Sequence, residues 1–235
     1  MPRPHVICHM TSSVDGRIKI RRWSQIDVDG IVEAAYQAIH DRLEGDAWIC
    51  GRVTMAGYAP GKAPPPYKGA PIPREDFVAR REATSYGIGL DAHGRMHWGD
   101  RNDITGDHVV MVLTEQVPDA HLDALRRAGV SYLFAGREAI DLGLLLDKLA
   151  ATFGIKRLLV EGGGRINGSF LAAGLVDELS LLLAPAVDGL IGAPAVFDYE
   201  GRDDDETPKR FALSLSGTEM MGGGVVWLRY AIVKA

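Results

Sequence analysis

Cysteine is scarce in this chain: two occur in 235 residues, Cys8 and Cys50, each inside an apolar run. There is no Cys-x-x-Cys pair, so neither a disulfide framework nor a cysteine metal site is expected, and both residues read as buried free thiols. An excess of basic residues is also missing. Lys and Arg number 26 against 31 Asp and Glu, a formal net charge of −5, and no basic cluster stands out. Nucleic acid and an anionic membrane surface are therefore excluded as expected partners. No apolar run approaches the ~20 residues of a membrane span, and the opening MPRPHV has no apolar signal core. The expected setting is the cytoplasm. No internal repeat is present.

What the chain does have is 46% hydrophobic residues and alternating strand and helix patterns, which fit one α/β domain over residues 1–235 with a sizeable core. Strands are expected at 5–10, 47–50, 86–90, 109–113, 131–134, 157–161 and 178–184. Helices are expected at 29–44, with Asp29 as N-cap, and at 120–128 and 142–153, with a short one at 75–82. Residues 60–73 hold six prolines and read as a surface loop or lid. An acidic loop at 200–206 precedes two last strands, 210–216 and 225–233, joined through Gly222, Gly223 and Gly224 as a hairpin on a mostly parallel sheet.

The stretch most informative about function is 155–189. A buried strand, RLLVE, ends in Gly162-Gly163-Gly164; Ile166, Phe170, Leu171 and Leu175 then recur at helical spacing, and a strand follows. Strand, glycine loop and helix together present unpaired backbone N–H groups and the positive end of a helix dipole to one small volume, which suits a phosphate. A tight turn without ligand is the alternative. The spacing Gly162, Gly164, Gly168 is one residue longer than the dinucleotide fingerprint and lies late in the chain, which argues against a standard Rossmann fold.

The order S-x-D-G after the first strand, G-R-x-T after the second, and L-x-V-E-G-G-G … F-L-x-x-G-L-V-D-E-L … P … G late in the chain resembles the reductase domain of the bifunctional riboflavin-biosynthesis protein and its stand-alone relatives. These belong to the dihydrofolate-reductase-like superfamily. The resemblance implies a three-layer α/β fold: a central, mostly parallel sheet with a C-terminal antiparallel hairpin and helices on both faces. It further implies a homodimeric, metal-free reductase that uses NADPH. The expected substrate is a phosphorylated pyrimidine, whose ribosylamino group becomes ribitylamino when hydride reaches the sugar C1′ of an opened, imine-like form. The family's deaminase half is absent.

Site residues follow from the same resemblance. Gly162, Gly163, Gly164, Arg165, Ile166 and Asn167 match the cofactor diphosphate loop. Thr54 matches a threonine that meets the cofactor, or is an N-cap. Arg52 matches an arginine for the 2′-phosphate, or is simply solvated. Glu161 matches a substrate carboxylate, or caps a loop or pairs with an arginine. Asp15 matches a residue near the nicotinamide, and it also suits the turn before Gly16. Ser13 and Trp23 are weaker matches on the substrate and cofactor sides; Trp23 alone reads as packing. Arg42 matches an arginine for the substrate phosphate, or is an ordinary helix-surface arginine. No spacing singles out His9, His93 or His97 as a general acid.

Two departures from the family pattern are Tyr58, where an aspartate is common, and the lack of a serine in the Asp91-Ala92 turn. The alternatives are therefore a same-fold NADPH reductase for a pterin, a small carbonyl or a xenobiotic, and a nucleotide-binding module without chemistry.

Overall fold

The computed structural model describes residues 2–23, 30–200 and 211–233. Two compact units divide the chain: Met1–Pro4 with Asp46–Leu158, and His5–Gly45 with Leu159–Ala235.

In the first unit, β2 (Ala47–Gly51), β3 (Tyr86–Leu90), β5 (Asp107–Leu113) and β6 (Ser131–Phe134) are successive parallel neighbours. Every residue of β2, β3 and β6 is buried, which is why these strands read as unbroken apolar runs rather than alternating ones. A two-residue strand, β4 (Asp103–Ile104), folds back antiparallel on the start of β5. Helix α3 (Asp119–Ala128) buries His121, Leu122, Leu125 and Ala128, and Gly129 ends it at φ 73°. Helix α4 (Leu142–Phe153) begins where Asp141 caps the Leu144 N–H and ends at Gly154 with φ 69°. The one-turn helix α2 (Arg52–Met55) follows β2 directly.

The proline-rich stretch 60–73 contains no helix or strand, as expected. The helix expected at 75–82 is absent. Phe77 instead exchanges both backbone hydrogen bonds with Tyr132, an antiparallel bridge that holds the segment extended beside β6.

Strand β7 (Arg157–Val160) carries the chain from the first unit into the second. The second unit then orders its strands as β7, β1 (His5–Ser12), β8 (Glu178–Leu183), β10 (Val226–Val233) and β9 (Ala212–Met220). β1 and β8 are parallel from Ile7 against Glu178 to Ser12 against Leu183. β10 runs antiparallel to both β8 and β9, so the expected C-terminal hairpin is present. β9 reaches four residues beyond the expected 216, because the turn begins only at Met221, whose N–H bonds the carbonyl of Val225. Helix α1 (Ile31–Arg42) turns Val32, Ala35 and Ile39 inward. Its N-cap is Gly30; the expected cap, Asp29, lies outside the described residues, as does most of the acidic loop. Helix α5 (Gly164–Ala172) starts within the glycine run.

Candidate active site

Glu161 is the first residue past β7, and its side chain is nearly buried, 12% exposed. Its partner is not an arginine. Oε1 lies 2.7 Å from Nδ1 of His40, on the last turn of α1. The same helix carries Tyr36, whose ring stacks on His9 at 4.3 Å. His9 Nδ1 lies 3.0 Å from Ser180 Oγ, which also accepts from Trp227 Nε1 at 2.8 Å. Burial keeps His9 below the usual histidine range, so it sits neutral in this network rather than acting as an acid. Burial, reinforced by the negative charge of Glu161, drives the Cys8 thiol far up and leaves it inert.

The three glycines play different parts. Gly162 adopts φ 93°, a left-handed conformation, and its peptide to Gly163 is cis. A Cβ on Gly164 would collide with the carbonyl oxygen of Ala195, and one on Gly168 with that of Asp198. Glycine is required at these two positions because the chain's own 195–199 segment presses on α5, not because a ligand does. Gly163 differs: a Cβ there would meet nothing nearer than Ile18 at 4.0 Å. The carbonyl of Gly163 already accepts from Ile166 and Asn167, whereas the N–H groups of Gly163, Gly164 and Arg165 find no acceptor among the described residues. Three orphan donors at the positive end of a helix, beside an open glycine, fit a diphosphate. Asn167 serves packing, its buried side-chain amide donating to the Val196 carbonyl at 2.7 Å. Ile166 contributes its backbone at the same turn, and the Arg165 side chain pairs with Glu200 at 2.7 Å on the surface. Arg165 also lines an open cleft of about 490 Å³ together with Arg17, Pro194 and Asp198.

Asp15 and Ser13 form a tight local knot. Ser13 Oγ donates to Asp15 at 2.6 Å, and the Asp15 carboxylate accepts from the N–H groups of Asp188 and Gly189 at 3.0 and 2.9 Å. The Ser13 bond first, and then those two amides, hold the Asp15 carboxyl far below the ordinary carboxylate range. Its oxygens are thus engaged within the protein, while the turn's own Arg17 N–H goes to Ser13 Oγ at 3.0 Å rather than to Asp15. Arg17, not singled out from the sequence, reaches the Ala193 carbonyl through Nη1 at 2.7 Å, while its buried Nε has no partner among the described residues.

Arg42 is engaged by a carboxylate at the surface, its side chain 49% exposed. It makes a two-point pair with Glu219 at 3.0 and 2.9 Å and lies over the Trp227 ring at 4.7 Å. Trp23 is buried, 5% exposed, with its indole N–H unpartnered among the described residues. In the other unit, Arg52 and Thr54 are exposed on α2; the N-cap there is Gly51, so Thr54 is not the cap. Sequence reading missed His40 because nothing local marks it: its partner is 121 residues away, and the pairing exists only once α1 packs beside β1.

A family model described as the RibD C-terminal domain matches residues 4–227. The chain belongs to that family. Over 217 residues the RibD C-terminal domain described here is 30% identical to a protein of Methanothermobacter thermautotrophicus named 2,5-diamino-6-ribosylamino-4(3H)-pyrimidinone 5′-phosphate reductase, covering 92% of this chain and 94% of the relative. A protein of the same name from Aquifex aeolicus is 28% identical over 216 residues, covering 86% of this chain and 85% of its own. Among solved structures, a pyrimidine reductase-like protein of Corynebacterium diphtheriae superposes with TM-score 0.71 at 18% identity, over 99% of this chain and 93% of that one. That likeness gives this RibD C-terminal domain the dihydrofolate-reductase-like fold: a mainly parallel sheet closed by an antiparallel C-terminal pair. No helix among its described residues is long and apolar enough to cross a membrane.

Proposed function

We propose that this chain is a reductase that uses NADPH to convert the ribosylamino group of a pyrimidine 5′-phosphate into a ribitylamino group, a step of riboflavin synthesis. One observation carries the reading: three orphan main-chain donors open α5 immediately after a carboxylate that is held, by His40, at the end of β7. The fit to a phosphorylated nucleotide beside a polyhydroxylated sugar is chemical, and the names of the relatives point the same way.

When bound, the nicotinamide supplies a hydride. The chain's own residues do the holding. The N–H groups of Gly163, Gly164 and Arg165 grip the diphosphate, and the backbone of Gly162, Ile166 and Asn167 keeps that turn in shape. Arg52, exposed and without an acceptor among the described residues, takes the 2′-phosphate that distinguishes NADPH from NADH. Trp23 stays a cofactor-side residue of the second unit, and Thr54 of the first unit is assigned to the cofactor on the family resemblance alone. On the substrate side, the second oxygen of Glu161 accepts from a ribose hydroxyl, while the Ser13–Asp15 knot fixes the turn after β1. Rate enhancement rests mainly on orientation. The whole chain acts as one catalytic domain, as a homodimer, in the cytoplasm.

A second reading, an NADPH reductase for a different small substrate, is favoured by the engagement of Arg42 with Glu219 and by Tyr58, 42% exposed where the family commonly has an aspartate. Incubating the protein and NADPH with the riboflavin precursor, and separately with a dihydropterin and a small aldehyde, tests both readings. Consumption only with the precursor supports the first; consumption only with another substrate overturns it.

A further inference from the structure

We infer that His40 and Glu161 form the proton-delivering pair of the reduction, with the His40 imidazolium as the acid that protonates the sugar ring oxygen. The inference rests on the proposed reading of the site and adds to it the proton source that reading leaves unassigned. The other histidines of the second unit are unsuited. His9 is buried, kept neutral and bonded to Ser180 and the Tyr36 carbonyl. His5 is 43% exposed and tied to Glu178 at the outer end of β1.

His40 is different in two respects. Its side chain is 23% exposed, and its Nδ1 is fixed at 2.7 Å on a carboxylate that is itself 12% exposed. An ionised carboxylate can only accept, so Nδ1 carries the hydrogen. The arrangement selects one tautomer and one ring orientation. Nε2 is then the atom that gives up and regains a proton, with Glu161 stabilising the imidazolium between turnovers, the same division of labour as in a carboxylate-oriented general acid.

The chemistry balances with a single acid. Opening the ribosylamine breaks the C1′–O4′ bond. The electron pair of that bond goes to O4′, which takes the His40 proton and becomes a hydroxyl, while the exocyclic nitrogen lone pair forms the C=N bond of a cationic imine. C1′ would then accept the hydride that a bound reduced nicotinamide would supply, and the C=N electron pair would return to nitrogen. One proton and one hydride are consumed, and neutral His40 is recharged from water. Glu161 stands one residue before the glycine run, with its N–H groups unpaired among the described residues, so the pair lies beside the loop proposed to hold the cofactor, on the side assigned to the sugar.

The test combines kinetics with a readout that needs no substrate. His40→Asn keeps a donor near the Nδ1 position but cannot titrate. It should bind NADPH within twofold of wild type, fold with an unchanged circular dichroism spectrum, and lose about a hundredfold or more in kcat. The loss of wild-type activity at high pH, where the imidazole deprotonates, should vanish from its profile. His40→Gln guards against a folding defect in the first variant. Independently, ring nitrogen NMR of wild type should show neutral His40 protonated on Nδ1, and Glu161→Gln should weaken that preference. Turnover of His40→Asn within threefold of wild type, with the high-pH limb intact, would overturn the acid role while leaving the reductase reading standing. An Nε2–H tautomer in wild type would overturn it equally. A wild type that neither binds nor consumes NADPH removes the reductase reading, and this inference with it.

Discussion

Gly164 faces the carbonyl oxygen of Ala195 with no room for a Cβ, whereas Gly163, one residue earlier, faces open space. Two adjacent glycines in the same run therefore answer to different forces, one to packing and one to access. Gly164→Ala should destabilise the fold by about 3 kcal/mol, since the nearest atom a Cβ would strike, the Ala195 carbonyl oxygen, is backbone and cannot swing aside. Gly163→Ala should melt close to wild type but bind NADPH at least tenfold more weakly, because a methyl group would stand where the diphosphate approaches the main chain. Melting curves and NADPH titration of the two variants check this. Equal losses of stability would remove the distinction.

Arg42 spends its guanidinium on Glu219 and the Trp227 ring. Its pairing raises the guanidinium further above its already high range and lowers Glu219, through the same two-point hydrogen bond. Arg42→Ala should accordingly leave KM for a phosphorylated substrate within twofold. Glu219→Ala, which frees the arginine, should not raise KM. A tenfold rise in KM for Arg42→Ala alone would return Arg42 to the substrate phosphate.

Glu161→Gln removes the charge that faces His40 and substitutes an amide of the same shape. A charge-assisted hydrogen bond is worth about 2 kcal/mol, roughly thirtyfold. The expected outcome is a loss of that order or larger in kcat/KM for the pyrimidine, with NADPH affinity unchanged. Stopped assays with each ligand separate the two. A variant defective in NADPH binding alone would move Glu161 from the substrate to the cofactor.

How much of this was readable in the chain depends on the range of the forces involved. Strands such as β3 and β6 and helix α4 have the boundaries expected from the sequence, because continuous apolar runs, Asp141 and Gly154 specify them locally. The glycine loop was visible for the same reason. The segment 75–82 was misread because its helical pattern is outweighed by the Phe77–Tyr132 bridge, a partnership across 55 residues of sequence that no local pattern encodes. His40, Arg17 and the Arg42–Glu219 pair are of the same kind. Each is an ordinary residue on an ordinary element until the tertiary fold gives it a partner.

In the first unit, His121 is buried against His97, ring centroids 5.6 Å apart, and neither of its ring nitrogens has a partner among the described residues. Burial pushes its pKa down to about 4, with His97 adding to the fall and Asp91 opposing it. The unfolded chain, with an ordinary histidine, binds the proton first, so stability is retained above about pH 6.5 and lost as pH falls towards 4. Between pH 7 and pH 5 the loss from this group is about 2 kcal/mol. Urea unfolding at the two pH values, on wild type and His121→Leu, measures it. The variant should show a flatter pH dependence, and an identical slope would clear His121 of the effect.

The reductase reading is tested most directly by following one atom. NADPH deuterated at the transferable C4 position, incubated with the protein and the ribosylaminopyrimidine phosphate, should yield a ribitylamino product carrying a single deuterium at C1′. Oxidised cofactor with no deuterium in the product, or NADPH that binds and is never consumed, would contradict it.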